Sequence, residues 1–322
     1  MPDAKTDRMK KQVVVITGAA TGIGRLTAEL LARAGHVVYA SMRDMRETDR
    51  RHAEAITGLA ETEKLSLKPI ELNVLFEESC RSAADLILAE QGRIDVVMNN
   101  AAMLVLGLTE AFRTDQVLEA FNVNAVSWVR VNRAFLPIMR RQGEGLLVYT
   151  GSSTTRMVDP FIGPYAASKA AADSLAETMH YENSQYGIES VIIMPGAYTS
   201  GTEHFAHASH AAEVSVTSQY GRINHLPEEF PARLNGMHRP GVRTDPTEVA
   251  EAVRDVIAME RGKRPFRVVV DPQQRNMEAL NALHEKLQRD SFRRLGIDHL
   301  IDVRVEGSNN EDASVNLVAS NS

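Results

Sequence analysis

Short apolar runs alternate with longer segments of helical periodicity along most of this chain. Runs such as Val13–Thr17 are rich in β-branched residues, which is typical of strands. Between the runs, apolar residues recur every three or four positions, which predicts helices. The predicted strands are Val13–Thr17, His36–Ser41, Leu67–Leu72, Ile94–Asn100, Gly145–Ser153, Ile188–Gly196 and Phe266–Val270. The predicted helices are Ile23–Ala34, Glu47–Ala60, Phe76–Gln91, Thr114–Arg141, Tyr165–Tyr186, Pro246–Glu260 and Asn276–Phe292.

Several of these strands lack polar alternation, as expected when helices cover both faces of a sheet. The order of strands and helices predicts an α/β fold with a doubly wound parallel sheet of about seven strands and right-handed crossovers. Ligands bind such sheets at the carboxyl ends of the strands. Four dipeptides fall at those ends, which predicts one shared binding site. They are Thr17-Gly18, Asn99-Asn100, Ser152-Ser153 and Pro195-Gly196.

The chain is predicted to contain one domain, covering residues 12–305. Within it, the segment 197–245 has little regular pattern and is predicted to form a lid beside the substrate site. Residues 273–292 are predicted to be a C-terminal helix. Residues 1–11 form a polar arm without the apolar core of a secretory signal, and 306–322 are predicted to be a disordered tail.

Composition narrows the class of protein. The 322 residues carry a net charge of −6, which argues against nucleic acid as a partner. No apolar run approaches the roughly 20 residues that cross a bilayer, so we expect no membrane partner. The single cysteine, Cys80, excludes an internal disulfide and fits a reducing compartment, and we expect it to fill the core. These features predict a cytoplasmic protein.

Tyr165 and Lys169 are four residues apart in the alanine-rich helix "GPYAASKAAA". They share a helix face, and the lysine leans back toward the tyrosine. A nearby ammonium favours the phenolate, which predicts a phenol pKa lowered from about 10 toward neutrality and a group able to exchange protons. The alternative is a surface contact that stabilises the helix by at most about 0.5 kcal/mol.

The loop "TGAATGIGR" joins the first strand to the first long helix, with glycines at Gly18, Gly22 and Gly24. Glycines at such a turn let backbone amides approach a pyrophosphate, and the helix N-terminus then faces the anion. The spacing is a variant of Gly-x-Gly-x-x-Gly. We therefore predict dinucleotide binding, with Thr21 and Ile23 also in contact. The alternative is an ordinary glycine-rich turn.

Six motifs in order resemble those of the short-chain dehydrogenase/reductase family: the glycine loop, "NNAA", "NVNA", "GSS", "YAASK" and "PG". The resemblance covers Gln12 to Val270 and implies a Rossmann-like fold. The glycine spacing resembles that of the shorter, single-domain branch. Within this branch, the segment "RAFLPIMRRQGEGLLVYTGSS" is similar to hydroxysteroid and retinol dehydrogenases.

The resemblance implies a catalytic group of Asn124, Ser152, Tyr165 and Lys169. Tyr165 would exchange the proton, Ser152 would polarise the carbonyl, and Lys169 would lower the tyrosine pKa and hold the nicotinamide ribose. Asn124, in a long helix, would use its side-chain amide or a local irregularity of the helix to position a water that relays protons. The alternative is an ordinary buried helix asparagine. Implied cofactor contacts also include Asn73, Val74, Asn100, Ala101, Pro195 and Gly196. No metal is expected.

In the family, an acidic residue that closes the second strand selects NAD. Here Met42 occupies that place and Arg43 follows. A guanidinium suits a 2′-phosphate, so NADP(H) is the preferred cofactor and NAD(H) remains possible. Asp44 lies one or two residues too late for the acidic role. The alternative interpretation of Arg43 is a solvated loop arginine.

The lid supplies the predicted substrate contacts Tyr198 and Phe205, beside Ser152 and Tyr165. Its size and apolar residues predict a hydrophobic small-molecule alcohol or carbonyl substrate. His204, His207 and His210 recur at helical spacing, which predicts a polar lid helix rather than a metal site.

The C-terminal helix carries an apolar stripe of Met277, Leu280, Leu283 and Leu287, which must pack on the lid or on a second subunit. A homodimer or homotetramer is expected. The predicted function is an NADP(H)-dependent oxidoreductase that interconverts an alcohol and a ketone or aldehyde. Two alternatives are a non-catalytic NADP(H)-binding redox sensor and an epimerase or dehydratase that uses its nucleotide transiently.

Overall fold

A computed structural model describes residues 11–238 and 241–305 of the chain. The predicted tail and all but the last residue of the predicted arm lie outside the described residues. The strands are β1 Val13–Ile16, β2 Val37–Met42, β3 Leu67–Glu71, β4 Val96–Asn99, β5 Val105–Leu106, β6 Gly145–Thr150, β7 Ile188–Pro195, β8 Ser209–His210 and β9 Arg267–Val270. The α-helices are α1 Gly22–Arg33, α2 Arg50–Glu63, α3 Glu77–Gln91, α4 Thr114–Phe121, α5 Ser127–Gln142, α6 Gly163–Asn183, α7 Val214–Gln219, α8 Leu226–Asn235, α9 Thr247–Ala258 and α10 Met277–Leu295.

Seven of the strands in the described ranges form one parallel sheet in the order β3-β2-β1-β4-β6-β7-β9. The strand order reverses between β1 and β4. Val14 of β1 pairs with Val38 of β2 on one side and with Val96 of β4 on the other. The predicted doubly wound sheet is thereby confirmed. A reversal of this kind opens a crevice at the carboxyl ends of the strands.

Alternate residues of the strands face two separate cores. Val13 and Val15 pack with Trp128 of α5 on one face. Val14 and Ile16 pack with Leu31 of α1 on the other face. Helices therefore cover both faces, which explains why the strands lack polar alternation. Cys80 is fully buried in the first core, as expected of a core residue.

A third apolar cluster lies beyond the carboxyl ends of the strands, where the lid meets the chain after β4. Leu104 and Leu106 pack there with Phe230 of α8 and with Tyr165 of α6. The short strand β5 pairs in parallel with β8 of the lid, in a register that places Val105 opposite Ser209. This cluster brings the lid to the predicted substrate side of the site.

The structure corrects two predicted helices. The helix expected over Thr114–Arg141 is interrupted by a π-helix at Asn122–Val126, which separates α4 from α5. The helix expected around His204, His207 and His210 is wrong, because that part of the lid forms turns and then β8.

The apolar stripe of α10 is largely uncovered. Met277 is buried, whereas Leu280, Leu283 and Leu287 are 41%, 53% and 58% exposed. Among the described residues, the stripe is fully covered only at Met277, and its three leucines stay partly exposed. No helix in 11–238 or 241–305 has both the length and the apolar composition needed to cross a membrane.

Candidate active site

The glycine loop has the geometry that a bound phosphate group requires. Gly18 and Gly22 have φ of +63° and +57°, a region that favours glycine. Helix α1 begins at Gly22 with no side-chain cap from Thr21, and its first turn carries no acidic residue. The first amides of such a helix lack intrahelical partners, so they can donate to an anion. The residues present fit a dinucleotide pyrophosphate.

Asn100 fixes this loop to the sheet. Its side-chain amide donates to the carbonyls of Thr17, at 2.9 Å, and Gly18, at 3.1 Å. Its side-chain oxygen accepts a hydrogen bond from Thr150 of β6 at 3.1 Å. A Cβ on Gly24 would lie 2.5 Å from both the Asn100 amide nitrogen and the Gly18 oxygen. Gly24 is therefore required for close packing rather than for a special backbone angle.

Ser152, Tyr165 and Lys169 meet at the end of β6. Tyr165 and Lys169 lie in the first two turns of α6 and are 8% and 2% exposed. The Lys169 Nζ donates to the Thr150 carbonyl at 2.8 Å and lies 5.9 Å from the centre of the Tyr165 ring. The Ser152 side chain lies close enough to the Tyr165 phenol to oppose the rise of its pKa. The structure thus brings three of the four predicted catalytic residues together.

The electrostatics of this group differ from the sequence prediction. Burial raises the pKa of Tyr165 to about 12, against the opposing effect of the Ser152 hydrogen bond. Burial also lowers the pKa of Lys169 to about 7. The expected fall of the phenol pKa toward neutrality is therefore wrong for the protein alone, because desolvation by burial outweighs the opposing effect of Ser152. At neutral pH, Tyr165 is a neutral phenol.

Asn124 lies in the π-helix and is fully buried. Its side chain binds both backbone groups of Met103, at 2.8 and 2.9 Å, and donates to the Ser168 hydroxyl at 2.9 Å. Ser168 in turn donates to the Tyr165 carbonyl at 2.8 Å. Asn124 therefore connects the chain after β4 to the helix that carries Tyr165, and its side chain is engaged within the protein.

The remaining predicted cofactor residues line the same edge of the sheet. The Asn73 side-chain oxygen accepts the Leu75 amide at 3.0 Å, and Val74 is 9% exposed. Ala101 packs against Gly18, because a Cβ added to Gly18 would lie 2.8 Å from the Ala101 Cα. Pro195 ends β7, and the Gly196 amide donates to the Val270 carbonyl of β9 at 2.9 Å.

Arg43 and Asp44 have different surroundings. The Arg43 side chain is 68% exposed and lies 4.0 Å from Asp49. The Asp44 carboxylate accepts the amides of Arg46, at 3.0 Å, and Glu47, at 3.1 Å. These bonds, the Glu47 amide foremost, lower the pKa of Asp44. Asp44 thus closes a turn, while Arg43 extends into solvent.

The lid places one predicted substrate residue near the site and the other away from it. Phe205 packs against the cluster that contains Tyr165. Tyr198 instead packs in the core with Val249 and Val253 of α9, and its hydroxyl lies 3.4 Å from Glu248. The structure therefore does not bring Tyr198 to Tyr165. An unpatterned segment gives no periodicity from which the direction of a side chain can be read.

The glycine loop, the π-helix and the buried tyrosine and lysine all fall in one stretch of sequence. Residues 12–212 match the family of the short chain dehydrogenases. The chain belongs to the short chain dehydrogenase family. It is accordingly an oxidoreductase that acts on alcohol or carbonyl substrates with a nicotinamide cofactor.

Named relatives span most of the chain. A 3-ketodihydrosphingosine reductase from Bacteroides thetaiotaomicron is 28% identical over 264 residues, which is 82% of this chain and 89% of the relative. Human 17-beta-hydroxysteroid dehydrogenase type 1 is 37% identical over 191 residues, or 58% of this chain and 57% of that protein.

Two solved dehydrogenases have the same fold. A short-chain dehydrogenase from Streptomyces avermitilis has a TM-score of 0.68 at 26% identity, with 92% of this chain and 98% of that chain covered. An alcohol dehydrogenase from the archaeon Thermococcus sibiricus, complexed with 5-hydroxy-NADP, has a TM-score of 0.64 at 25% identity, covering 81% and 96%.

Several residues of the dehydrogenase site were not predicted from the sequence. The His204 ring lies edge-on to the Tyr165 ring, with centroids 5.8 Å apart. Burial, with a smaller effect of Lys169, lowers the His204 pKa to about 4, so its imidazole is neutral. Gln273 exchanges two hydrogen bonds of 2.8 Å with the backbone of Ala197. In the sequence, His204 stands out by its spacing from His207 and His210, whereas no pattern marks Gln273. Within the described ranges, no three His, Cys, Asp or Glu side chains converge in a way that could hold a metal ion.

Proposed function

We propose that this chain is an NADP(H)-dependent dehydrogenase/reductase that interconverts a hydrophobic secondary alcohol and its ketone, or an alcohol and its aldehyde. The observation that carries the proposal is the meeting of Ser152, Tyr165 and Lys169 at the sheet edge that also holds the glycine loop. The glycine loop, with Thr21 and Ile23, would hold the pyrophosphate. Lys169, Asn100 and Gly196 would border the nicotinamide half.

In the direction of reduction, the hydride that reaches the carbonyl carbon would come from NADPH held by the glycine loop and Lys169. The Tyr165 hydroxyl donates its proton to the carbonyl oxygen, so its neutral state at pH 7 suits a general acid. The Ser152 hydroxyl donates to the same oxygen as negative charge develops. The Lys169 ammonium stabilises the phenolate that remains, until Tyr165 regains a proton from water. In oxidation, Tyr165 acts as the base.

Three features support the preference for NADP(H). Arg43 is exposed at the end of β2, where it is available to a 2′-phosphate. The Asp44 carboxylate is used by backbone amides, which leaves it poorly suited to accept from a ribose hydroxyl. The archaeal alcohol dehydrogenase was solved with a hydroxylated NADP.

The apolar cluster around Tyr165 supports a hydrophobic substrate. Tyr165 shares this cluster with Phe112, Ile162 and Phe230, and Phe205 packs against it. Relatives are named for 3-ketodihydrosphingosine and for 17-beta-hydroxysteroids. Contact with this apolar cluster would supply much of the binding free energy of such a substrate.

A fluorescence titration with NADPH and NADH, followed by a panel of ketones of increasing apolar size, tests this proposal. We expect NADPH to bind at least about tenfold more tightly, a difference of about 1.4 kcal/mol. We expect kcat/KM to rise with the apolar area of the ketone. Tighter binding of NADH would contradict the cofactor assignment, and turnover of small polar ketones alone would contradict the substrate class.

A homodimer or homotetramer is part of the same proposal. Among the described residues, the leucines of α10 leave part of an apolar stripe exposed. Light scattering at several concentrations would give the mass in solution. A monomer at all of them would contradict the expectation.

A further inference from the structure

The loop between β9 and α10, Asp271–Asn276, reaches both sides of the active site. It lies outside residues 12–212, the part that matches the family. Two of its residues, Gln274 and Asn276, have φ of 51° and 58°, although neither is glycine. Such angles cost free energy for residues with a Cβ and persist only where the surrounding contacts compensate. Arg275 lies between these two residues.

The Arg275 side chain connects this loop to the segment that follows Ser152. It is only 7% exposed. One terminal nitrogen of its guanidinium donates to the Ser153 hydroxyl, and the other donates to Asp159 at 2.9 Å. Ser153 is the residue after Ser152 and is 1% exposed. The guanidinium therefore holds the segment between β6 and α6 at two points, with charge-assisted hydrogen bonds.

The same loop holds the opposite side of the site. The Asp271 carboxylate accepts the amides of Gln273, at 3.0 Å, and Arg275, at 2.9 Å. A Cβ on Gly196 would lie 2.1 Å from the Asp271 carboxylate. The loop is therefore packed against the end of β7, which gives Arg275 a fixed base from which to reach Ser153.

We propose that Arg275 is a positioning residue that orients Ser152 through Ser153. The Ser152 hydroxyl lies 2.8 Å from the Thr154 hydroxyl and accepts the Thr154 amide at 3.2 Å. Ser152 caps the short 3-10 helix Ser153–Thr155, and Thr154 lies within it. Arg275 binds Ser153, the first residue of this helix. Without the guanidinium, the Ser153 hydroxyl loses its charged donor and the turn is free to rotate Ser152 away from Tyr165. This inference rests on the proposed role of Ser152 in carbonyl reduction.

Steady-state kinetics of four variants test the inference. Arg275→Met should lower kcat at least about tenfold and leave the dissociation constant of NADPH within about twofold. Ser153→Ala should lower kcat in the same direction. The double variant should be no slower than Arg275→Met alone, because both changes break one contact. Asp159→Ala removes one of the two carboxylates that pair with Arg275, the other being Asp271 at 3.8 Å, and keeps the contact with Ser153, so it should lower kcat less than Arg275→Met does.

The results separate this inference from the proposed function. Suppose that the native protein reduces ketones and that Arg275→Met has the native kcat. The inference is then wrong and the proposed function stands. The same conclusion follows if the effects of Arg275→Met and Ser153→Ala on kcat add in the double variant. If Asp159→Ala, which keeps the contact with Ser153, loses as much kcat as Arg275→Met, the Ser153 contact does not position Ser152 and the inference is wrong. A crystal structure of Arg275→Met gives a readout without turnover. We expect Ser152 to leave the Tyr165 hydroxyl, and an unmoved Ser152 would overturn the inference.

Discussion

The ammonium nitrogen of Lys169 lies 5.5 Å from the centre of the Trp128 ring. Trp128 is 2% exposed and is the single tryptophan of the chain. A cation over an aromatic face within about 6 Å is stabilised by about 0.5 to 2 kcal/mol, and most where water is excluded. Trp128 therefore favours the charged form of a lysine whose pKa burial has lowered to about 7.

Replacing Trp128 should change the pH dependence of catalysis. Trp128→Leu removes the aromatic face, so the pKa of Lys169 should fall by about 0.5 to 1 unit. The alkaline limb of kcat/KM for NADPH, which reports groups of the free enzyme, should move to lower pH. Trp128→Phe keeps a ring and is the matched control, with a smaller shift. An alkaline limb at the native pH in Trp128→Leu would refute this role.

Lys169 should also make stability depend on pH. Its pKa is lowered from 10.5 to about 7 in the folded protein. Between these values the unfolded chain binds a proton that the folded chain does not, so this group makes stability rise with pH. Urea unfolding gives the free energy of unfolding of the native protein and of Lys169→Met. The value of the native protein minus that of the variant should increase from about pH 7 to about pH 10. A constant difference would show that Lys169 is not desolvated.

Gly24→Ala should disrupt the cofactor loop. The added Cβ would meet the Asn100 amide and the Gly18 oxygen at 2.5 Å, so the hydrogen bond between them must lengthen. We expect NADPH binding to weaken at least about tenfold, by about 1.4 kcal/mol, in a fluorescence titration. Gly58→Ala is the control, because a Cβ at Gly58 in α2 meets nothing within 4 Å. It should keep NADPH binding and stabilise the protein by about 0.5 to 1 kcal/mol. Equal NADPH affinities of the two variants would contradict the loop geometry.

Arg43→Ala should weaken the binding of NADPH and leave the binding of NADH unchanged. The side chain makes a long contact of 4.0 Å with Asp49 and is otherwise exposed, so its loss should leave the fold intact. A charge-assisted bond to a 2′-phosphate is present only with NADPH, whose affinity should fall about tenfold while that of NADH is unchanged. Arg51→Ala, on the exposed part of α2, controls for the loss of one positive charge. A parallel loss of both affinities would count against a 2′-phosphate contact.

The sequence predicted the sheet and the residues of the site better than their electrostatics. Most strands of the seven-stranded sheet carry an apolar run, although β3 does not, and Gly18, Gly22 and Gly24 mark a turn by themselves. The break in the helix at Asn122–Val126 has no such local mark, because it depends on contacts of Asn124 with Met103 and Ser168 far along the chain. The pKa of Tyr165 was predicted in the wrong direction because burial is a property of the assembled site.

Contacts between distant loops were out of reach for the same reason. Arg275 and Ser153 are separated by 122 residues, and neither lies in a periodic pattern that would align them. Tyr198 turned to the core because α9 offers Val249 and Val253 as packing partners, which the lid sequence alone does not reveal. Local patterns thus locate the motifs, and tertiary packing sets their chemistry.

Single-turnover reduction by Tyr165→Phe tests the central claim most directly. The enzyme loaded with NADPH is mixed with an excess of ketone, and the loss of NADPH absorbance is followed. Because phenylalanine has no proton to donate, we expect the rate to fall by about 10² to 10⁴, with NADPH binding within about twofold of the native value. A native rate of hydride transfer in Tyr165→Phe would contradict the account.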